Sequence, residues 1–449
     1  MGKSRRLHRS LLLAALTLAG AATARADRLS GDDLSRKNEG GYVTGLPLAA
    51  YGTDIGLGGG ARVYYYWNGH RRDSLFAWTP YLQRIFFQTF ATTRGVQFHY
   101  VDYDAPRLLG SRYRLRGQAF FARNINSNYF GFGDASLDPL QFPGSPATFD
   151  SYGDYTRSQK AASGDMTWAK YDQFDLIRPV LIASVERMFL GDRLRVLAGL
   201  GLTYAGINDY SGAQVEAVDG SGAEIMATMA TTRLRQDCDA GRLVGCDGGV
   251  DNLLRLGVSY DTRDFEPDPN SGVFVDAEVD IGTVALGSDF DYARMIMAAR
   301  GYVSPFPHLA DVVLAARVVG EVQSRGTPFF EMNTMPFTED PRTGLGGQRT
   351  LRGFRQDRFV GPVMTLANAE VRWTFAHARL WRQNLALIAS PFVDAGRAFD
   401  SVGDLTLRRW RASAGAALRV SWNLATIVTI DYGVSAEDRG LYINFGHNF

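Results

Sequence analysis

Four arginines, four glycines and two phenylalanines crowd the sixteen residues GLGGQRTLRGFRQDRF, from Gly344 to Phe359. Guanidinium groups are planar, permanently charged forks that take a carboxylate with two bonds at once, and glycines let a backbone come close enough to a wall for that contact. The chemistry offered is buried ion pairing, and Arg352, between Leu351 and Gly353, is the side chain the rest of the chain is arranged to receive. The stretch lies in a long segment, Ser324 to Gly361, with no sustained apolar pattern, and loops of such length inside an ordered domain are functional or disordered. Its glycine and arginine content argues for the former. Covalent chemistry finds no support: no serine sits in G-x-S-x-G and no histidine in H-E-x-x-H, so the chain is read as a non-enzyme with no catalytic residue, cofactor or metal.

The other reactive pair is Cys238 and Cys246, in QDCDAGRLVGCDGG. In an exported chain the expectation is a disulfide closing a small polar loop, contributing roughly 2.5 kcal/mol by the chain-entropy argument. A metal pair is the rival, without a third or fourth His or Cys nearby. Export is read from the N-terminus: Lys3, Arg5, Arg6 and Arg9 precede an apolar core, Leu11 to Ala22, and Ala24-Arg25-Ala26 fits a cleavage site. Residues 1–26 are thus a secretory signal peptide, 27–39 a short polar leader and 40–449 the body of the protein. The net charge of +1 recommends no nucleic acid as partner.

What must position Arg352 is a wall, and the body of the chain supplies one by strict alternation. On the segment from Gly272 to Gly282, Phe274, Asp276, Glu278 and Asp280 share one face, while Val273, Val275, Ala277, Val279 and Ile281 share the other. Arg112, Arg114, Arg116 and Gln118 share a face in the same way. Unpaired charge in a dry sandwich core costs several kcal/mol per group, so these faces belong to a wet or mutually paired lumen. Sixteen such segments follow one another, from Gly40–Tyr51 through Phe76–Phe90 and Leu405–Ser421 to Gly440–Phe449, most of them longer than the ~9 to 11 residues a tilted strand needs to cross a bilayer. Long connections alternate with short ones. The expected fold is all-β: a 16-stranded antiparallel transmembrane β-barrel with an inward-folded external loop between strands 11 and 12 and both termini in the periplasm.

Three stretches then carry a resemblance. Leu351-Arg352-Gly353-Phe354, preceded by Gly346-Gly347, is similar to a (V/I)RG(F/Y) loop motif; Phe392-Val393-Asp394-Ala395-Gly396 is similar to the FxDxG of a thirteenth strand; Tyr260 to Asp264, followed by Pro269 and Gly272, resembles a DxRD…P..G turn. Together they resemble the bacterial surface antigen superfamily of outer-membrane barrels, the BamA/TamA family. The resemblance implies that the loop enters the barrel and that its arginine meets the strand-thirteen aspartate. Alternation independently turns Asp394 inward, with Asn368, Glu370 and Arg372 of the neighbouring strand, so Glu370 could hold Arg349, Arg355 or Arg372. It also implies protein or lipid insertion or translocation at the bacterial outer membrane, with Phe449 as the C-terminal insertion signal. The alternative function is a plugged pore or structural barrel passing small solutes. The periplasmic POTRA modules of BamA and TamA have no counterpart in 27–39, so a periplasmic adaptor is expected to bring client proteins to a monomeric barrel among outer-membrane lipids. Gly40, Gly41, Gly45 and Pro47 weaken the first strand, and Pro47 cannot donate to a ladder, which suits a seam.

Overall fold

The computed structural model describes residues 34–449 apart from 36, 53–55, 78, 307, 309–310, 337–340, 381–382 and 424–425. The expected signal peptide, 1–26, and most of the expected leader, 27–39, lie outside them. Sixteen strands form one antiparallel sheet in chain order. They are β1 (Gly41–Gly52), β2 (Gly56–Trp67), β3 (Gln83–Thr92), β4 (Gln97–Ala105), β5 (Tyr113–Asn128), β6 (Gln173–Phe189), β7 (Leu194–Asp209) and β8 (Gly248–Asp261). They continue as β9 (Gly272–Gly282), β10 (Tyr292–Val303), β11 (Val312–Gln323), β12 (Val363–Leu380), β13 (Gln383–Phe399), β14 (Arg411–Trp422), β15 (Thr426–Ser435) and β16 (Arg439–Phe445). Every neighbouring pair is joined by a ladder, and the sheet curls until Thr44 of β1 meets Thr426 of β15, their hydroxyls 2.9 Å apart. Among the described residues no backbone ladder joins β1 to β16.

Alternation decides which way each side chain points. Val275, Met295, Met297 and Val318 face outward and are 40% to 58% exposed, whereas Asp276, Glu278, Asp280 and Arg294 face inward and are at most 5% exposed. The inward charges satisfy one another across strands, as in Arg294 with Asp280 at 2.9 Å, which is what makes a polar interior tolerable.

Strand ends shift by a few residues in several places, and four of the differences matter here. The third strand begins at Gln83, not Phe76, because residues 68–82 form a turn, with Thr79 N bonded to Leu75 O and Pro80 unable to donate. Lys37 of the leader fastens this turn by donating to the carbonyls of Phe76 and Thr79, each at 2.6 Å. Arg112 precedes β5 and is exposed rather than inward. The fourteenth strand starts at Arg411, not Leu405, after a connection in which Trp410 donates to Thr406 O. The last strand stops at Phe445: Gly446 takes φ +78°, and the final three residues leave the wall.

At the end away from the termini, the connections 129–172 and 210–247 build a cap. It contains the helix Tyr152–Lys160, a three-stranded sheet and an aromatic core of Phe130, Phe142, Tyr155 and Tyr171. Cys238 and Cys246 are bonded within it, with Cα atoms 6.1 Å apart.

Candidate functional site

The loop between β11 and β12 turns back into the barrel. Its apolar residues, scattered in the sequence, assemble there: Leu345, Leu351, Phe354 and Phe359 pack with Met364, Leu366 and Ala398 of the wall. That small core lies under the cap and fixes the loop, so Arg352 is wholly buried.

The guanidinium of Arg352 takes Asp394 in both arms, Nε to Oδ2 at 2.8 Å and Nη2 to Oδ1 at 2.9 Å. Its backbone N donates to the same carboxylate at 3.2 Å. The remaining nitrogen, Nη1, reaches Glu370 at 3.0 Å and Asp431 of β15 at 3.1 Å. The plane stacks on Phe392, 3.3 Å from the ring centre, an arrangement open to a guanidinium and not to an ammonium. Phe392 can lie flat there because Gly415 faces it across the β13–β14 ladder.

Glu370 holds Arg372 at 3.1 Å, one of the three arginines the sequence offered it; Arg349 and Arg355 go elsewhere. It also binds Arg419 of β14 through both oxygens, at 2.8 and 2.9 Å. Arg352, Arg372 and Arg419 thus face Asp394, Glu370 and Asp431, three charges of each sign sealed together. Arg419 and Asp431 were not singled out from sequence, although Leu418 and Ile430 beside them point outward and so fix them inward.

Glycines set how close the loop comes. Gly353 has φ +92°, and a Cβ there would lie 2.8 Å from the backbone of Val434; one at Gly433 would lie 2.8 Å from Gly353 N. Gly346, with φ +118°, turns the chain at the loop's entry, next to Gly347, and Gly396 leaves room for the Leu351 side chain. The hairpin of β15 and β16 is gripped further. Gly353 N donates to Tyr442 Oη at 3.0 Å and Gly353 O accepts from Ser435 at 2.7 Å. Arg358 binds Glu437 through two bonds and Arg355 binds Asp438 at 2.8 Å, both acceptors at the hairpin tip.

The sequence reading ran the last strand through to Phe449. That residue is inside the barrel, packed against Tyr302, Val313 and Ala315. The cause is the array of cations it meets. Arg317 and Arg372 lie over its ring, Arg372 donates to its backbone carbonyl oxygen at 2.6 Å, and Arg349 donates to His447 O at 3.1 Å. His447 bridges Arg419 Nη1 at 2.8 Å and Asp268 at 2.6 Å, the latter on the turn 262–271.

Burial, with Arg372 and Arg419 beside it, pushes the His447 imidazole down to about 4 against the pull of Asp268. A folded value below the unfolded one means stability present above about pH 6.5 and lost as pH falls toward 4, on the order of 3 kcal/mol over the whole window. Hydrogen exchange at 446–449 is therefore expected to rise on acidification from pH 7 to 4.5, after correction for intrinsic rates. His447→Gln should flatten that rise; an unchanged profile would remove His447 as its source.

The family description that matches residues 90–449 is the Omp85 superfamily domain, and a second, a domain of unknown function (DUF5982), matches residues 22–82. Solved structures similar to the chain include BamA from Haemophilus ducreyi lacking POTRA domains 1–3, with TM-score 0.48 and 14% identity over 91% of this chain and 69% of that one. CdiB from Escherichia coli gives TM-score 0.43 and 9% identity over 90% and 61% of the two chains. No curated protein matches the chain.

Proposed function

The chain belongs to the Omp85 superfamily of outer-membrane barrels, and from that premise we propose that it assists insertion or translocation of proteins, or of lipids, at the outer membrane by opening between β1 and β16. The observation that carries this reading is the grip of the arginine loop on the β15–β16 hairpin. That hairpin forms one side of a seam held among the described residues by side chains such as Thr44 and Thr426, and the loop that fastens it ends the barrel's central ion network. An edge strand of seven residues next to a glycine-rich β1 leaves main-chain donors and acceptors for an incoming strand to pair with. Client proteins and a periplasmic adaptor are the partners this reading requires.

The seam supplies its own test. Thr44→Cys with Thr426→Cys places two thiols where hydroxyls already touch, close enough for a disulfide. In the native host, oxidation of the double variant is expected to lower the levels of other outer-membrane proteins, with reductant restoring them. Unchanged levels with the bond formed would sink the proposal. A solute pore is the second reading, favoured by a cavity of about 860 Å3 beside the loop; it requires conductance in planar bilayers.

A further inference from the structure

On the outer face of β5 to β7, toward the end of the barrel that carries both termini, the apolar rows stop at an arginine. Leu181 and Val185 of β6 point outward and are exposed, and Arg187 follows them on the same face, two residues before the strand ends at Phe189. Its neighbours across the ladders are Tyr113 of β5 and Val196 of β7, both outward and exposed. The guanidinium lies 5.8 Å from the ring centre of Tyr113 and 5.0 Å from that of Phe189, and the two rings fix its place. An arginine on the lipid face is costly at mid-bilayer and cheap at the interface, so Arg187 marks the level of the headgroups.

Arg112, one residue before β5, is a second exposed arginine at this rim; its carbonyl accepts from Met188 N, next to Arg187, at 2.9 Å. Among the described residues neither guanidinium has a carboxylate within ion-pairing distance. The two turns at this rim, 106–112 and 190–193, lie side by side, tied by the ion pair of Arg107 with Asp192. Their tips carry Leu109 and Leu190, 93% and 73% exposed, each at φ +51°. A leucine takes that left-handed conformation at a cost, and neither side chain has packing within the protein to offset it. Beside a lipid-facing rim, the glycerol and acyl groups of the interface supply that packing.

The chemistry of the occupant follows from what the rim has and what it lacks. Two guanidinium forks without carboxylates suit an anion of several oxygens, and a phosphate diester is one. An ammonium finds no open acceptor, because Asp192, the carboxylate on the two turns, already takes Arg107. A zwitterionic headgroup therefore brings a charge that the rim does not meet. A soluble acidic protein could reach Arg112 but not Arg187, which stands among Val185, Val196 and Tyr113 in the lipid-facing rows.

We propose that Arg112 and Arg187 bind the phosphate of an anionic glycerophospholipid, its acyl chains lying along Leu181, Val185 and Val196 while Leu109 and Leu190 seat the two turns in the same interface. The inference needs a barrel that spans the membrane and stands apart from the opening of the seam. The test is native mass spectrometry of the purified protein released from micelles, titrated with phosphatidylglycerol and with phosphatidylethanolamine of the same acyl chains. The parent is expected to bind phosphatidylglycerol at least fivefold more tightly. Arg112→Gln combined with Arg187→Gln should reduce that preference below twofold, whereas Arg72→Gln, at an exposed arginine on the turn 68–82, should leave it intact. Excess glycerophosphate, which has the anion without the chains, is expected not to displace the lipid. Heat-modifiable migration on gels confirms that the variants are folded. Equal affinity of the parent for the two lipids, an unchanged preference in the folded double variant, the same loss in Arg72→Gln, or displacement by glycerophosphate would each overturn the proposal.

Discussion

Arg352→Ala is expected to lower the unfolding free energy by about 3 to 5 kcal/mol, the usual penalty for removing one member of a buried, hydrogen-bonded ion group. Asp394 would lose both of its guanidinium bonds and keep Asn368, at 2.7 Å, and the backbone N of residue 352, at 3.2 Å, while Asp431 would lose its contact with the loop. Glu370 would keep Arg372 and Arg419. The loss therefore falls on the side of the network that fastens the loop, and three readouts should move together. The melting temperature in detergent falls, proteolysis between Gly344 and Phe359 accelerates, and planar-bilayer conductance rises as the loop leaves the lumen. Arg352→Lys should show a smaller form of the same change, because an ammonium retains charge but cannot span Asp394 in a fork or stack flat on Phe392. An alanine variant as stable and protease-resistant as the parent would show that the apolar core around Leu351 and Phe354 holds the loop without the arginine.

Phe449→Ala should cost a comparable amount, about 3 to 5 kcal/mol, as for other buried aromatic truncations. The ring fills the space between Tyr302, Val313 and Ala315 and supplies the face over which Arg317 and Arg372 lie. Because a terminal phenylalanine could also serve as an insertion signal, the measurement belongs on protein refolded in vitro into micelles, where no insertion machinery acts. A large drop in urea midpoint there identifies an internal anchor. A normal midpoint, with poor assembly only in cells, would mean that recognition is the whole of its contribution.

The wall was legible because one physical contrast, apolar outside and ionic inside, repeats every second residue and survives small errors in strand ends. Asp394 and Glu370 were placed inward by that same rule. The destinations of the loop's arginines were not legible, since Arg352 meets Asp431 from 79 positions away and Arg358 meets Glu437 across the same separation. No periodicity reports such contacts. The last strand misled for a local reason. Leu441, Ile443 and Phe445 alternate with polar or small neighbours and Phe449 keeps the same parity, but His447 breaks the pattern, and the left-handed turn at Gly446, with arginines waiting inside, takes Phe449 off the wall. The loop's hydrophobic core was missed because Leu345, Leu351, Phe354 and Phe359 follow neither a helical nor a strand period; they converge only through the turns at Gly346 and Gly353.

The grip on β15 and β16 gives the loop a hold on the strands beside the seam. The loop is tied to the last two strands at Asp431, Gly433, Ser435, Glu437, Asp438 and Tyr442, and to β12 and β13 at Glu370 and Asp394. On the proposed reading, drawing the loop outward would load the β15–β16 hairpin against β1, so a lengthwise slit would open there before the bore widened.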